Sequence, residues 1–243
     1  MARVLICIPA YNEEASVAAV ISEVAAASTD WEVLVVDDGS ADQTVAVARA
    51  AGAGVVSAPF NLGVGGAMRV GFRYAAEHGH DVLVQIDADG QHDPAEVPAM
   101  LAALNHGSTP ATVIGARFAG EGDYKAPLAR RMAMRLLARS LSKMAKTKLT
   151  DVTSGFRAHN RAAIEIFAHS YPTDYLADTV ESISLLTRAG GSVSQVPAHM
   201  RPRMQGQPSQ SSWKASVYLA RILIVLGLTL IRRPGPSDVR GDE

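Results

Sequence analysis

Cysteine occurs once in the 243 residues, at Cys7, so the chain can form neither an internal disulfide nor a cysteine-based metal site. A reducing compartment fits that usage, and the cytoplasm is the expected location. A signal peptide is not expected, because the short apolar run Val4 to Ile8 leads straight into Tyr11-Asn12-Glu13-Glu14, without separate basic, apolar and cleavage regions. Near the other end, the mostly apolar stretch Ile222 to Ile231 is ten residues long and follows Arg221, short of the roughly 20 that span a bilayer. The seven histidines show neither H-x-x-x-H nor H-E-x-x-H spacing, so none is assigned to zinc. His92 alone stands beside an acidic motif, where a place at a helix N-terminus accounts for it. A net charge of −1 argues against nucleic acid as a partner, and no internal repeat is present.

What is there suffices for a core: 48% of residues are hydrophobic and 19% charged, the balance of a globular chain of about one large domain. Short apolar runs alternate with helical patterns. Val4 to Pro9, Glu32 to Val36, a segment near Val55, Val82 to Ile86, Thr112 to Gly115 and Val193 to Pro197 predict strands. Ala15 to Ala27, Thr44 to Ala51, Asn61 to Glu77, Pro94 to Asn105, Pro127 to Lys146 and Asp178 to Arg188 predict helices. This is the rhythm of an α/β fold with a mostly parallel sheet flanked by helices.

Both acidic pairs fall at predicted carboxyl ends of strands, where open α/β sheets collect ligands. In Asp87-Ala88-Asp89-Gly90-Gln91 two carboxylates and an amide recur every second residue. If the segment is extended, all three side chains converge on one hard cation, Mg2+ or Mn2+. Such an ion would neutralise a nucleotide diphosphate leaving group. The competing reading is an acidic turn that caps the helix at Pro94. Asp38 similarly suits either a nucleotide's ribose or base, or a helix cap, a task also open to Ser40 and Asp42. Asn61-Leu62-Gly63-Val64-Gly65-Gly66-Ala67 could present backbone N–H groups to phosphate. Its spacing matches neither G-x-G-x-x-G nor the P-loop, and close packing of helix on sheet explains the glycines.

Ile8-Pro9-Ala10-Tyr11-Asn12-Glu13, Val36-Asp37-Asp38-Gly39-Ser40, Asn61-Leu62-Gly63, Asp87-Ala88-Asp89-Gly90-Gln91 and Ser154-Gly155-Phe156-Arg157 occur in this order. Together they resemble family 2 glycosyltransferases, and within that family the polyprenyl-phosphate, dolichol-phosphate mannose synthase-like branch. The resemblance implies a GT-A fold, Rossmann-like, and an inverting hexosyltransferase that uses a UDP- or GDP-linked donor and a membrane polyprenyl phosphate. It assigns Pro9, Ala10, Tyr11, Glu13, Asp38, Asp87 and Ala88 to the nucleotide, and Asp87, Asp89 and Gln91 to the metal. Arg117, Arg131 and Ser154 go to the acceptor phosphate. Asp89, Arg117, Arg131 and Arg203 form the catalytic set, Arg203 closing on the diphosphate from the loop Arg201-Pro202-Arg203-Met204-Gln205-Gly206. That loop departs from the usual R-x-x-G-x-S-K pattern, since Pro208 follows and Lys214 comes late.

A phosphate acceptor is already anionic at neutral pH and needs orienting arginines rather than a base. A hydroxyl acceptor on a soluble or cell-envelope glycan would need one, and Asp178 or Glu181 would be the candidates. A non-catalytic nucleotide-sugar-binding subunit is the remaining alternative. Between Tyr124 and Thr150 there are eight Lys or Arg and no Asp or Glu. Leu128, Met132, Leu136, Leu137, Leu141 and Met144 form one stripe there, and Arg131, Arg135, Arg139 and Lys143 another. Such a helix suits either an anionic membrane surface or a core-facing position with a solvated basic side. The domain reading is a catalytic domain over residues 1–199, then a mobile loop from Met200 to Ser212, an amphiphilic helix over Trp213 to Arg233 and a polar tail to 243. Peripheral association with the inner face of the cell membrane follows, with a small membrane-anchoring protein as an expected partner.

Overall fold

The computed structural model describes residues 2–104, 107–117, 128–173 and 177–203, with Arg117, 128–135 and 177–179 described in backbone only. The elements are β1 (Val4–Ala10), α1 (Val17–Ala27), β2 (Glu32–Asp37), α2 (Thr44–Ala50), β3 (Gly54–Ser57), α3 (Gly63–Glu77) and β4 (Val82–Gln85). After them come a single 3-10 turn (Pro94–Glu96), α4 (Val97–Ala103), β5 (Ala111–Arg117), α5 (Leu128–Ala145), β6 (Arg157–Asn160), α6 (Arg161–Ser170), α7 (Ala177–Arg188) and β7 (Ser192–Ala198).

The strands form one sheet in the order β3-β2-β1-β4-β6-β5-β7. Every pairing is parallel except the two made by β6. β1, β2 and β4 are apolar on both faces, as strands buried from both sides must be. Leu5, Cys7, Leu34, Val36 and Leu83 pack with α3, α5, α6 and α7. Their neighbours Val4, Ile6, Ile8, Val35, Val82 and Val84 pack with α1, α2 and α4. Alternation of side chains along each strand thus sorts two cores onto opposite faces. Successive strands step outward from β1 to β3, and β4 then returns to the other side of β1. The carboxyl ends of β1 and β4 therefore flank a topological switch point, the place where such sheets bind ligands.

β6 carries no hydrophobic signature in the sequence, whereas α6, absent from the predicted elements, buries Ala163, Ile164, Phe167 and Ala168 at helical spacing. Arg157, His159 and Asn160 are nonetheless buried in β6, because all but one of their side-chain polar groups, His159 Nε2, find partners among the described residues. Arg157 donates to the carbonyls of Ser154 and Val152 and to Ser182 Oγ. His159 Nδ1 lies 2.9 Å from Thr112 Oγ1. Asn160 Oδ1 accepts the N–H groups of Ala111 and Ala163, the second as the N-cap of α6. The strand is held by hydrogen bonds where its neighbours are held by apolar burial.

Two expectations about packing need correcting. Of the apolar stripe predicted for α5, Leu137 and Leu141 are buried, but Leu136 is 56% exposed, since a one-residue step turns it about 100° from Leu137. None of the glycines that open α3, Gly63, Gly65 and Gly66, is explained by the sheet. A Cβ on Gly65 would stand 2.6 Å from the Pro172 carbonyl in the connection after α6, whereas one on Gly71 would stand 2.4 Å from Cys7 Sγ in β1. Only Gly71 lets the helix settle onto the sheet.

Candidate active site

The site begins where β1 and β4 part. The Cys7 carbonyl accepts Ile86 N–H, and residues two apart on a strand face the same neighbour, so the nitrogen of Pro9 faces β4 without a hydrogen to give. The ladder stops there, and the chain after Ile86 is free to turn.

The turn is not the extended segment predicted for Asp87 to Gln91. Gly90 adopts φ +77°, and Asp89 Oδ1 accepts the Gln91 N–H at 2.9 Å. Gln91 is drawn toward Arg201, its Nε2 lying 3.5 Å from that residue's carbonyl, the outer limit of a hydrogen bond. The two carboxylates do sense each other: burial first, then the charge of Asp87, pushes the Asp89 carboxyl above the ordinary aspartate range. Asp89 is recessed, with a side chain 6% exposed, while that of Asp87 is 37% exposed. Neither caps the helix at Pro94. Asp93 does, accepting the Ala95 N–H.

Two side chains brace Asp87. Gln85 Nε2 donates to its Oδ1 at 3.1 Å. His92 Nδ1 accepts its backbone N–H at 3.0 Å, and the imidazole stacks on Phe156, with centroids 4.9 Å apart and 13° between planes. Phe156 arrives because β6 is antiparallel to β4, which sets Arg157 beside Gln85 and lays the Ser154–Phe156 turn against the acidic one. A Cβ on Gly155 would lie 2.9 Å from Gln85 Nε2 and 3.3 Å from Asp87 Oδ1, so glycine is what lets these turns touch. Ser154, expected at the acceptor phosphate, is buried, its Oγ accepting the Phe156 N–H at 3.3 Å.

On the β1 side, Asn12 at φ 54° ties its loop to the one after β2: its N–H donates to Ser40 Oγ, and its Oδ1 accepts the Ala41 N–H. Tyr11 remains 48% exposed at the mouth, while Ala10 and Ala88 are buried beneath. Asp38 accepts the Leu62 and Gly63 N–H groups, anchoring the start of α3. Burial raises its carboxyl and these two bonds oppose the rise. The next helix in sequence, α2, is instead served by Asp42, which accepts the Thr44 N–H.

Residues 200–203 were expected to open a mobile loop, but they lie pinned across the acidic turn. His92 and Met200 form a β-bridge, and the Arg201 N–H donates to the Gln91 carbonyl. Arg201 pairs with Glu23 at 2.7 Å and Asp93 at 2.6 Å. Arg203 reaches Asp89 Oδ2 at 2.9 Å and Glu13 Oε1 at 3.7 Å. Burial raises the Glu13 carboxyl, partly offset by Ser16 and then Arg203. Asp87, Asp89, Glu13 and Arg203 are thus brought together. The side chains of Arg117, Arg131 and Asp178, the segment 118–127 and everything from 204 to 243, including the predicted amphiphilic helix, lie outside the described residues. His92 does stand at a helix N-terminus, just before the Asp93 cap; what sequence reasoning missed is its bond to the Asp87 N–H and its stack on Phe156, for which its position five residues after Asp87 was the available signal.

Among the described residues no group of three His, Cys, Asp or Glu side chains could hold a metal ion by itself. Glu13, Asp87 and Asp89 against the single guanidinium leave two negative charges, and hard oxygen donors of this kind suit Mg2+ or Mn2+ when phosphate oxygens and water complete the shell.

The sequence model described as glycosyl transferase family 2 matches residues 5–167. An undecaprenyl-phosphate mannosyltransferase of Micrococcus luteus is 34% identical over 223 residues, covering 86% of this chain and 88% of that protein. A polyprenol monophosphomannose synthase of Mycolicibacterium smegmatis is 33% identical over 170 residues, 67% of this chain and 63% of the relative. Glucosyl-3-phosphoglycerate synthase from Mycobacterium tuberculosis, crystallised with Mn2+, UDP and phosphoglyceric acid, superposes with a TM-score of 0.70 over 97% of this chain and 80% of its own, at 23% identity. At that identity the likeness is one of fold.

Proposed function

Because the chain belongs to glycosyl transferase family 2, and is by that membership a glycosyltransferase, we propose that it moves a hexose from a UDP- or GDP-linked donor to a polyprenyl phosphate. The observation that carries the donor half is the placing of Arg203 on both Asp89 and Glu13 at the switch point. A guanidinium held among carboxylates at the carboxyl end of the sheet is ready to exchange them for a diphosphate, which it grips in bidentate fashion. Asp87 and Asp89 would hold the cation, and Gln91 would contribute at most its amide oxygen. A bound Mg2+ or Mn2+ supplies charge neutralisation for the departing diphosphate. Tyr11, Pro9, Ala10 and Ala88 line the nucleotide end, with Asp38 holding the α3 loop against it.

The acceptor half rests on the relatives, since those of Micrococcus and Mycolicibacterium are named for sugar transfer to polyprenyl phosphates. A phosphate monoester attacks without a general base, which accords with the arginines assigned to the acceptor, Arg117 and Arg131. Contact with a membrane surface follows from the acceptor. Arg139, Lys143, Lys146 and Lys148 are exposed along and after α5 beside Leu136, a composition that favours anionic lipid. Among the described residues no helix is long and apolar enough to cross a membrane. Nothing in the relatives' descriptions supports a separate anchoring protein.

The test is a panel of UDP- and GDP-sugars with Mn2+ or Mg2+ and a polyprenyl phosphate in detergent, reading released nucleotide and the phase in which sugar appears. Lipid-soluble, acid-labile product is expected. A water-soluble product formed equally well without lipid would move the proposal to a hydroxyl acceptor, and nucleotide binding without turnover would leave a binding subunit.

A further inference from the structure

We propose that His92 is a positioning residue for Asp87, holding the first carboxylate of the acidic turn where it can share a divalent cation with Asp89. The inference rests on the glycosyl-transfer reading and adds a residue that neither the acidic motif nor the family resemblance assigned to the site.

His92 is 3% exposed, and its polar atoms converge on a single residue. Nδ1 accepts the Asp87 N–H at 3.0 Å. An imidazole nitrogen that accepts carries no proton, so the neutral ring has its hydrogen on Nε2. Nε2 stands 3.8 Å from Asp87 Oδ2. Asp87 is thereby held at its backbone by His92, whose Nε2 faces the carboxylate from beyond hydrogen-bond range, while Gln85 Nε2 holds the other carboxylate oxygen at 3.1 Å. The ring is fixed by Phe156, and the backbone of His92 is bridged to Met200, three residues before Arg203. One residue therefore joins the acidic turn and the turn at Ser154–Phe156 through its side chain, and the segment that delivers Arg203 through its backbone. A histidine serving only the core would need the stack on Phe156 and not the acceptor. Groups that orient a metal-binding side chain typically alter metal affinity by 10- to 100-fold when removed.

Two substitutions separate the roles. His92→Phe keeps a flat ring against Phe156 and leaves the Asp87 N–H without its acceptor. His92→Asn gives up the stack and restores an amide oxygen near the place of Nδ1. Calorimetry with UDP and GDP, each with and without Mn2+, and hydrogen exchange of the peptide spanning 86–92 are the readouts, with thermal unfolding to establish that each variant is folded. The Phe variant is expected to weaken the manganese-dependent part of nucleotide binding by about 10-fold or more, to leave metal-free binding within about 2-fold, and to speed exchange at Asp87. The Asn variant is expected to return to within about 3-fold of the unsubstituted protein.

Unchanged manganese-dependent binding in a folded Phe variant overturns the proposal. So does equal loss in both variants with and without metal, which is the mark of packing. If the Phe variant does not fold, the Asn variant decides alone, and a loss beyond about 10-fold in manganese-dependent binding overturns the role. If the unsubstituted protein binds neither nucleotide more tightly with Mn2+, the glycosyl-transfer reading itself falls, and the role of His92 with it.

Discussion

Arg203 lies 2.9 Å from Asp89 across the acidic turn, 114 positions apart in the chain and joined by a guanidinium that also faces Glu13. The pair links the closing segment to the residue expected to carry the cation. Removing the guanidinium should be felt in donor binding rather than in folding. Arg203→Gln is expected to weaken UDP- or GDP-sugar binding by about 10- to 100-fold, the range of one or two charge-assisted bonds, with little change in the thermal transition. Donor titration calorimetry checks it, and undiminished donor affinity would show that the guanidinium never leaves the carboxylates.

Asp89→Asn keeps the shape of the turn, since an amide oxygen can still accept the Gln91 N–H, but it removes a charge. Turnover is expected to fall by a factor of about 100 or more, in keeping with the loss of one major electrostatic contact to a transition state. Steady-state rates with saturating Mn2+ test this. A variant that binds donor normally and turns over at the original rate would place the chemistry elsewhere.

Gly155→Ala inserts a methyl group 2.9 Å from Gln85 Nε2 and 3.3 Å from Asp87 Oδ1. The buried Gln85 amide has to move, and the Asp87 carboxylate it holds moves with it. Stability is expected to fall by about 1–3 kcal/mol, as for other overpacked sites, while the manganese concentration for half-maximal activity rises several-fold. Urea unfolding and metal titration together check the two parts, and a change in stability alone would mean that the turns adjust without disturbing Asp87.

His159 supplies a pH dependence. It is wholly buried, with Nε2 lacking a hydrogen-bond partner among the described residues and the rings of Phe72 and Phe167 standing edge-on to it. Burial first and Arg157 second hold its pKa well below the usual histidine value. The unfolded chain therefore binds a proton below about pH 6.5 that the folded one refuses. Stability is full above that pH and is lost as pH falls, by up to about 1.4 kcal/mol per unit. Denaturant unfolding from pH 7.5 to 5.5 should show a smaller loss in His159→Gln than in the unsubstituted protein, and identical slopes would refute the assignment.

The sequence made some of this legible and hid the rest for physical reasons. β1, β2 and β4 were readable because parallel strands buried on both faces are apolar throughout, and α1 because Val17, Val20, Ile21 and Val24 keep helical spacing. The acidic turn was readable as a motif but not as a shape, since a strand that ends at Gln85 leaves no extended segment to align Gln91. β6 was hidden because Arg157, His159 and Asn160 are buried through hydrogen bonds, which leave no periodicity to read. Asp38 was a matter of distance: its partners lie 24 and 25 residues downstream, beyond what local capping patterns can indicate.

Cys7 lies at 0% exposure against Gly71, and burial pushes its thiol up to about 12, far from the thiolate that reagents require. To a maleimide or a spin label the folded chain accordingly presents no native handle at this position. A single cysteine placed at exposed Leu136 or Tyr11 becomes a unique reporter without further engineering, able to sense how deeply α5 or the donor mouth sits in a lipid vesicle.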